Sequence, residues 1–117
     1  SKIDGLIPIA NISNYENVLF IYPLIIDTKI LKASRKSFVA ACVAEGVPMV
    51  EGYTRPLTDL PLFKKFCNKS ESFSVASRFH NQSLITLKIC HHHNVSKSDI
   101  QLMGKAISKV SDYFKGV

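Results

Sequence analysis

The chain has 117 residues, of which 46% are hydrophobic and 21% are charged, and its formal net charge is +6. This length fits one domain with one core, and the composition excludes an intrinsically disordered chain. The longest apolar run, residues 18–26, is interrupted by Tyr22 and Pro23 and is shorter than the roughly 20 residues that a membrane span needs. With no secretion signal at the N-terminus, the sequence predicts a cytoplasmic protein.

The first 26 residues predict a lead-in segment followed by a strand. Residues 1–17 mix Gly, Pro, Asn and Ser without a clear period, which is typical of a chain that arrives from a preceding domain. Residues 18–26 are branched and aromatic, as in a buried strand. Pro23 cannot donate to a sheet, so it favours an edge position or a bulge.

The middle of the chain predicts a helix, a strand and a loop. Ser34 is a candidate N-cap for a helix over residues 35–45, and Gly46 is suited to end it. Residues 47–50 predict a short strand. Residues 52–61 have Gly and Pro at their ends and predict an ordered loop.

The last third predicts short helices, a strand and a long helix. Residues 62–66 after Pro61 predict a single helical turn, and residues 68–72 predict a polar turn. Residues 75–82 suit a short helix and residues 84–89 alternate enough for a strand, with helix and strand both left open in this region. Ser96 and Asp99 predict a capping box for a final helix that Gly116 ends. The apolar stripe of that helix comprises Ile100, Met103, Ile107, Val110 and Phe114.

This order of elements predicts an α+β domain, with a small mixed or antiparallel sheet and its helices packed on one face. We expect the lead-in to occupy residues 1–17 and the domain to occupy residues 18–117.

The positive charge is divided among several basic stretches. Lys29, Lys32, Arg35 and Lys36 form the first of them. We interpret these stretches as solvated helix faces, because no nucleic-acid motif or set of stacking aromatic residues accompanies them. Nucleic acid and membrane are therefore not expected partners.

Three widely spaced cysteines do not predict a disulfide framework. Cys42 lies in the helical pattern and is expected to be a buried apolar filler. The concentrated set of potential metal ligands is Cys90, His91, His92 and His93, with His80 nearby. Consecutive residues of an extended chain point to opposite faces, so at most two of the four could reach one ion. We therefore expect no physiological metal site there.

Tyr53, Arg55 and Thr58 lie in the Gly- and Pro-bounded loop, where functional side chains are often displayed on a rigid support. Arg55 could bind a phosphate or a carboxylate through its planar guanidinium, or be an ordinary surface residue. The chain has no glycine-rich phosphate loop, no Gly-x-Ser-x-Gly elbow and no His-Glu-x-x-His pair.

Several segments, taken in order, resemble the C-terminal domain of the DegT/StrS family of pyridoxal-phosphate sugar aminotransferases. They are Ala-Glu-Gly-Val-Pro at 44–48, Gly-Tyr-Thr-Arg-Pro-Leu at 52–57 and Leu-Pro-Leu-Phe at 60–63. Segments 75–80, 84–87, 96–100 and 106–110 are similar to the family's following elements. Many members have His or an aromatic residue where this chain has Thr58. The amino-acid sequences of the first two segments are most similar to those of glutamine-dependent scyllo-inosose aminotransferases.

The resemblance implies a fold-type I enzyme whose large N-terminal domain holds pyridoxal phosphate, and which works as a homodimer. It assigns no catalytic and no cofactor-binding residue to this chain, because the family's Schiff-base lysine precedes this region. It implies that Tyr53, Arg55 and Thr58 line the pocket for a nucleotide sugar or a cyclitol, which receives nitrogen from an amino donor in amino-sugar biosynthesis.

Two other interpretations stay open. The chain could be a stand-alone binding or regulatory module with the same fold, or a small metal-binding protein that uses the Cys-His cluster. As an isolated small domain, it is expected to expose apolar surface and to self-associate.

Overall fold

A computed structural model of the chain describes residues 2–8, 14–67, 73–89 and 95–116. Four strands form one sheet: β1 (Leu6–Pro8), β2 (Tyr22–Ile26), β3 (Met49–Glu51) and β4 (Leu84–Leu87). Their order in space is β1-β2-β4-β3, and every neighbouring pair is antiparallel. The α+β class predicted from the sequence is confirmed, with an antiparallel sheet.

The helices of the described ranges follow β2, β3 and β4 along the chain. Two helices connect β2 to β3: α1 (Thr28–Leu31) and α2 (Arg35–Ala44). Four short elements lie between β3 and β4 in the described ranges: a 3₁₀ turn (Leu57–Asp59), α3 (Pro61–Lys64), α4 (Ser74–Arg78) and a π turn (Phe79–Ser83). The long helix α5 (Lys97–Lys115) follows β4.

The core lies between one face of the sheet and the helices α1, α2 and α5. It has fourteen buried apolar residues: Leu6, Leu24, Ile26, Leu31, Ala33, Phe38, Val39, Cys42, Val47, Met49, Ile85, Leu87, Ile107 and Val110. Alternate residues of each strand contribute to it, as the period of two in a strand requires. Three helices therefore pack on one sheet face, in agreement with the prediction.

Local signals placed the ends of the two longest helices correctly. The Ser34 hydroxyl accepts from the N–H of Ser37, and Gly46, with φ of 86°, follows the end of α2. Ser96 and Asp99 form the predicted capping box of α5. Gly116 closes the same helix with φ of 78°.

The predicted stripe of α5 is only partly buried. Ile107 and Val110 are in the core, Met103 and Phe114 are half-buried, and Ile100 is 51% exposed. Ile100 lies in the first turn of the helix and lines a groove between α5 and the sheet.

The N-terminal region departs from the prediction in two ways. Residues 6–8 form a strand that the sequence analysis did not anticipate, and Leu6 belongs to the core. The predicted strand over 18–26 begins only at Tyr22. Pro23 does not lie in an edge strand, as one of the two predictions for it required, because β2 lies between β1 and β4.

The backbone bonds explain how an internal strand accommodates this proline. Gly52 N donates to Leu84 O, and Lys88 N donates to Pro48 O. The backbone N–H and C=O groups of even-numbered residues in β4 therefore point toward β3. Antiparallel alternation then makes Leu24 bond to β4 and turns the nitrogen of Pro23 toward the β1 side. The described part of β1 ends at Pro8, opposite Leu24.

The second face of the sheet is apolar and has less cover. A cleft of about 210 Å³ there is lined by Ile7, Pro8, Pro23, Ile25, Phe79 and Leu84. Ile7 is 54% exposed and Phe79, from the π turn, is 39% exposed. The expectation that this domain exposes apolar surface is met on this face.

Candidate functional site

The loop at residues 52–61 carries the three side chains that the sequence analysis selected. It leaves the edge strand β3 at Gly52, contains the 3₁₀ turn and ends where Pro61 begins α3. Two backbone bonds shape it: Asp59 N donates to Pro56 O at 2.9 Å, and Leu60 N donates to Leu57 O at 3.1 Å. The predicted loop is therefore a compact turn-containing segment.

The three candidate side chains differ in exposure. Tyr53 is 44% exposed, Arg55 is exposed and Thr58 is half-buried. Within the described ranges, no hydrogen bond or ion pair involves the Tyr53 hydroxyl or the Arg55 guanidinium, and none links the three residues. Their polar groups are accordingly available to a ligand. A guanidinium in this state can bind a carboxylate or a phosphate with two parallel bonds.

The first residue of the loop is held on three sides. Gly52 is buried and donates its N–H to Leu84 O at 2.7 Å, while its carbonyl accepts from the Thr86 hydroxyl at 2.8 Å. Its φ is +62°, and a Cβ there would lie 3.1 Å from the nearest carbon of the His80 ring. Only glycine fits this position without strain.

Arg35 joins three elements beneath the loop. Its Nε lies 3.1 Å from Glu51 Oε2, and its Nη1 donates to His80 O at 2.6 Å and to Leu84 O at 3.2 Å. The side chain is only 16% exposed. The interpretation of Arg35 as part of a solvated helix face is therefore wrong: its guanidinium connects the start of α2 to the end of β3 and to the π turn.

None of the three large grooves of the described surface includes loop 52–61. One, of about 640 Å³, lies between β1, β2, β4 and α5; its lining includes Ile3, Tyr22, Leu24, Leu87 and Met103. A second, of about 500 Å³, adjoins the first at Met103 and is lined by residues such as Val47, Pro48 and Leu102. The third, of about 640 Å³, is lined by α5 alone. Tyr53, Arg55 and Thr58 therefore lie on an open surface of the chain.

Metal ligands do not converge in the part of the chain that the structure describes: no group of three His, Cys, Asp or Glu side chains could hold an ion there. Cys90, His91, His92 and His93 lie outside the described residues, so their predicted lack of a metal role stays a prediction. His80 is half-buried and its ring packs against Gly52.

The lysines in the described ranges do not fit the role of a pyridoxal phosphate anchor. Such a lysine is activated by desolvation in a closed site. All described lysines are exposed except Lys115, which is half-buried and lies in the last turn of α5. We therefore derive no catalytic step through a cofactor held by these residues.

Cys42 is fully buried in α2, as predicted. Desolvation by burial, helped by the negative charge of Glu45, raises the pKa of its thiol from 9.0 to about 12. The thiolate form is therefore suppressed at neutral pH, and Cys42 is a packing residue rather than a nucleophile.

None of the helices in the described ranges is long and apolar enough to cross a bilayer. The chain matches no protein-family model and no curated protein.

Proposed function

We propose that this chain is the C-terminal small domain of a pyridoxal-phosphate aminotransferase of the DegT/StrS type, acting in the cytoplasm on a keto sugar nucleotide or a keto cyclitol. In this proposal the cofactor and the Schiff-base lysine belong to a large domain, and the active enzyme is a homodimer. The chain contributes part of the wall of the substrate pocket and is not catalytic alone.

The observation that carries the proposal is the position of the Gly-Tyr-Thr-Arg-Pro-Leu segment. This segment forms the loop that leaves the edge of the sheet, and it presents Tyr53 and Arg55 without polar partners among the described residues. Because neither side chain lines a large groove among the described residues, we expect another body to enclose a ligand that they bind. A pocket between two domains meets that requirement.

The other family-like segments support the proposal through their order. Segment 44–48 spans the end of α2 and the approach to β3, segment 60–63 begins α3, and segment 84–87 coincides with β4. Segments 96–100 and 106–110 belong to α5 and its cap. The apolar second face of the sheet, which includes the exposed Ile7, gives the chain a further surface that suits a large packing partner.

The three loop residues suit different parts of such a substrate. The Arg55 guanidinium can bind a phosphate of a nucleotide sugar or a carboxylate of the amino donor. The Tyr53 ring offers an apolar surface to a sugar or cyclitol ring, and its hydroxyl offers a hydrogen bond. The Thr58 hydroxyl can donate or accept a hydrogen bond at the same loop.

The first test is the intact mass of the native protein together with its absorbance from bound pyridoxal phosphate. A chain much longer than this one with a cofactor band supports the proposal. A colourless native protein of this length contradicts it and supports the stand-alone binding module.

The second test examines the loop in the native enzyme. Removing the charge in Arg55→Met is expected to raise the KM for the keto substrate roughly tenfold or more, because a charge-assisted bond is lost. Arg78→Met removes another exposed arginine, from α4, and serves as the matched control. Equal KM values for the two variants would contradict a role of the loop in substrate binding.

A further inference from the structure

We propose that Arg35 is a positioning residue, which fixes the base of loop 52–61 and so sets the placement of Tyr53 and Arg55. The inference rests on the proposed function only for what the loop binds; the fixing of the loop rests on the contacts of Arg35 itself. Nothing in the chain sequence around Arg35 indicates this role, because its acceptors are distant in sequence.

The Arg35 guanidinium forms hydrogen bonds at the point where loop 52–61 begins. It bonds Glu51, the residue immediately before Gly52, and it bonds Leu84 O, the same carbonyl that accepts the Gly52 N–H. Arg35 Nη1 and Gly52 N therefore donate to the same oxygen. Loss of the guanidinium would leave the Glu51 carboxylate without this partner. It would also remove one of the two donors to Leu84 O, the carbonyl that accepts the Gly52 N–H.

A third bond extends the same arrangement to the π turn. Arg35 Nη1 donates to His80 O at 2.6 Å, and the ring of His80 packs against Gly52. The same guanidinium thus fixes His80, whose ring packs against Gly52. Five N–H donors in a fixed plane allow one arginine to satisfy three acceptors at once, which a lysine ammonium cannot reproduce in this geometry.

The location of Arg35 in its helix indicates that these contacts are the reason for its presence. It is the first residue of α2, and the positive end of a helix dipole disfavours a cation there. No acidic residue occupies the first turn to offset this effect. Glu51, contributed by β3, supplies the compensating charge.

The experiment measures amide hydrogen exchange in this chain by NMR. In Arg35→Met, the Gly52 amide is expected to exchange about tenfold faster or more, because its acceptor and its neighbours lose charge-assisted bonds. Exchange in α5, for example at Ile100, is expected to stay unchanged. Lys36→Met is the matched control, since it removes a cation from the next position of the same helix, where the side chain is exposed.

Two further variants keep the test decisive if Arg35→Met does not fold. Arg35→Lys keeps the charge but not the planar fork, and Glu51→Gln keeps the shape but not the charge. Both are expected to give Gly52 exchange rates between those of wild type and Arg35→Met. Rates equal to those of Lys36→Met, or an equal acceleration of every amide including those of α5, would overturn the positioning role.

A kinetic measurement in the native enzyme separates this inference from the proposed function. Arg35→Met is expected to raise the KM for the keto substrate more than it changes kcat, with partial recovery in Arg35→Lys. Faster loop exchange with an unchanged KM would leave Arg35 as the residue that fixes the loop and would refute the substrate role of the loop. Unchanged loop exchange would refute the inference whatever the KM.

Discussion

At the scale of single residues, loop 52–61 is bounded by turn residues of its own and is held from a distance by Arg35. The loop was recognisable because Gly52, Pro56 and Pro61 are turn residues that act locally. Arg35 was not recognisable, because its acceptors His80 O and Leu84 O lie 45 and 49 residues away in sequence. Spacing along the chain reports only on neighbours, so a basic residue in a helix pattern was read as solvated.

The tight fit at Gly52 predicts a clear contrast between two glycines. Gly52→Ala is expected to destabilise the fold by about 1–3 kcal/mol, because φ is positive and the new methyl group meets His80. Gly104→Ala adds a methyl group to the interior of α5, where a Cβ would meet no atom within 4 Å beyond its own helix backbone, and is expected to stabilise the fold by about 1 kcal/mol. Denaturant unfolding of both variants checks the prediction, and changes of the same sign would contradict it.

The buried thiol of Cys42 predicts selective labelling. A thiol reagent is expected to modify the half-buried Cys67 in the native protein and Cys42 only after unfolding, as located by mass spectrometry of peptides. Rapid native labelling of Cys42 would contradict the described packing of α2.

The raised pKa of Cys42 also gives a pH dependence. The folded protein holds this proton more tightly than the unfolded chain, so the contribution to stability is complete below pH 9.0 and is lost as the pH rises toward about 12. Cys42→Ala is expected to be less stable at neutral pH, and its difference from wild type is expected to shrink in alkali. Parallel alkaline unfolding curves would contradict this sign.

At the scale of elements, the prediction succeeded where the signals were local. The caps of α2 and α5 depend on residues within three or four positions, and their bounds followed from Ser34, Gly46, Ser96 and Gly116. Strand β1 was missed because three residues show no period, and their pairing with β2 is set by tertiary contacts. The strand β4 and its partners could be named, but their order in the sheet could not.

The capping box predicts a specific loss in α5. Ser96→Ala removes the hydroxyl that accepts from Asp99 N and donates to its carboxylate, and is expected to cost about 1 kcal/mol of unfolding free energy. Bonds from Ser96 lower the pKa of Asp99 below 3.8. The contribution of this interaction is therefore present above that pH and is lost as the pH falls through the folded pKa.

Acid unfolding of wild type and Ser96→Ala measures this dependence. The difference between the two proteins is expected to be largest near neutral pH and to narrow in acid. Ser98→Ala is the control, because Ser98 is exposed on the same turn of α5. An equal effect of both substitutions would argue against a capping role for Ser96.

At the scale of the whole molecule, the sheet has one face closed by helices and one face with less cover. The first face holds the fourteen-residue core, which explains why the α+β class could be predicted from the apolar pattern. The second face is also apolar, at Ile7, Ile25 and Leu84. A strand that is apolar on both faces gives no period of two, so the sequence did not reveal which face the helices cover.

The open apolar face predicts self-association of the isolated chain. Sedimentation is expected to show dimers or larger species at high concentration, and Ile7→Lys is expected to shift the distribution toward monomer. Val18→Lys adds the same charge at a residue that is 94% exposed and outside the sheet, and serves as the control. A monomeric wild-type chain at high concentration would contradict the prediction.

The prolines of the first two strands restrict how copies of the chain can meet. Pro8 is paired with Leu24, whose N–H and C=O face β4, so Pro8 directs its ring nitrogen away from β2, toward the outer border of the sheet. A foreign strand that approached this border would find no N–H at Pro8 to donate to it. Fibril-like extension of the sheet past β1 is therefore disfavoured, and contact through side chains of the open face is the route that remains attractive on that side of the molecule.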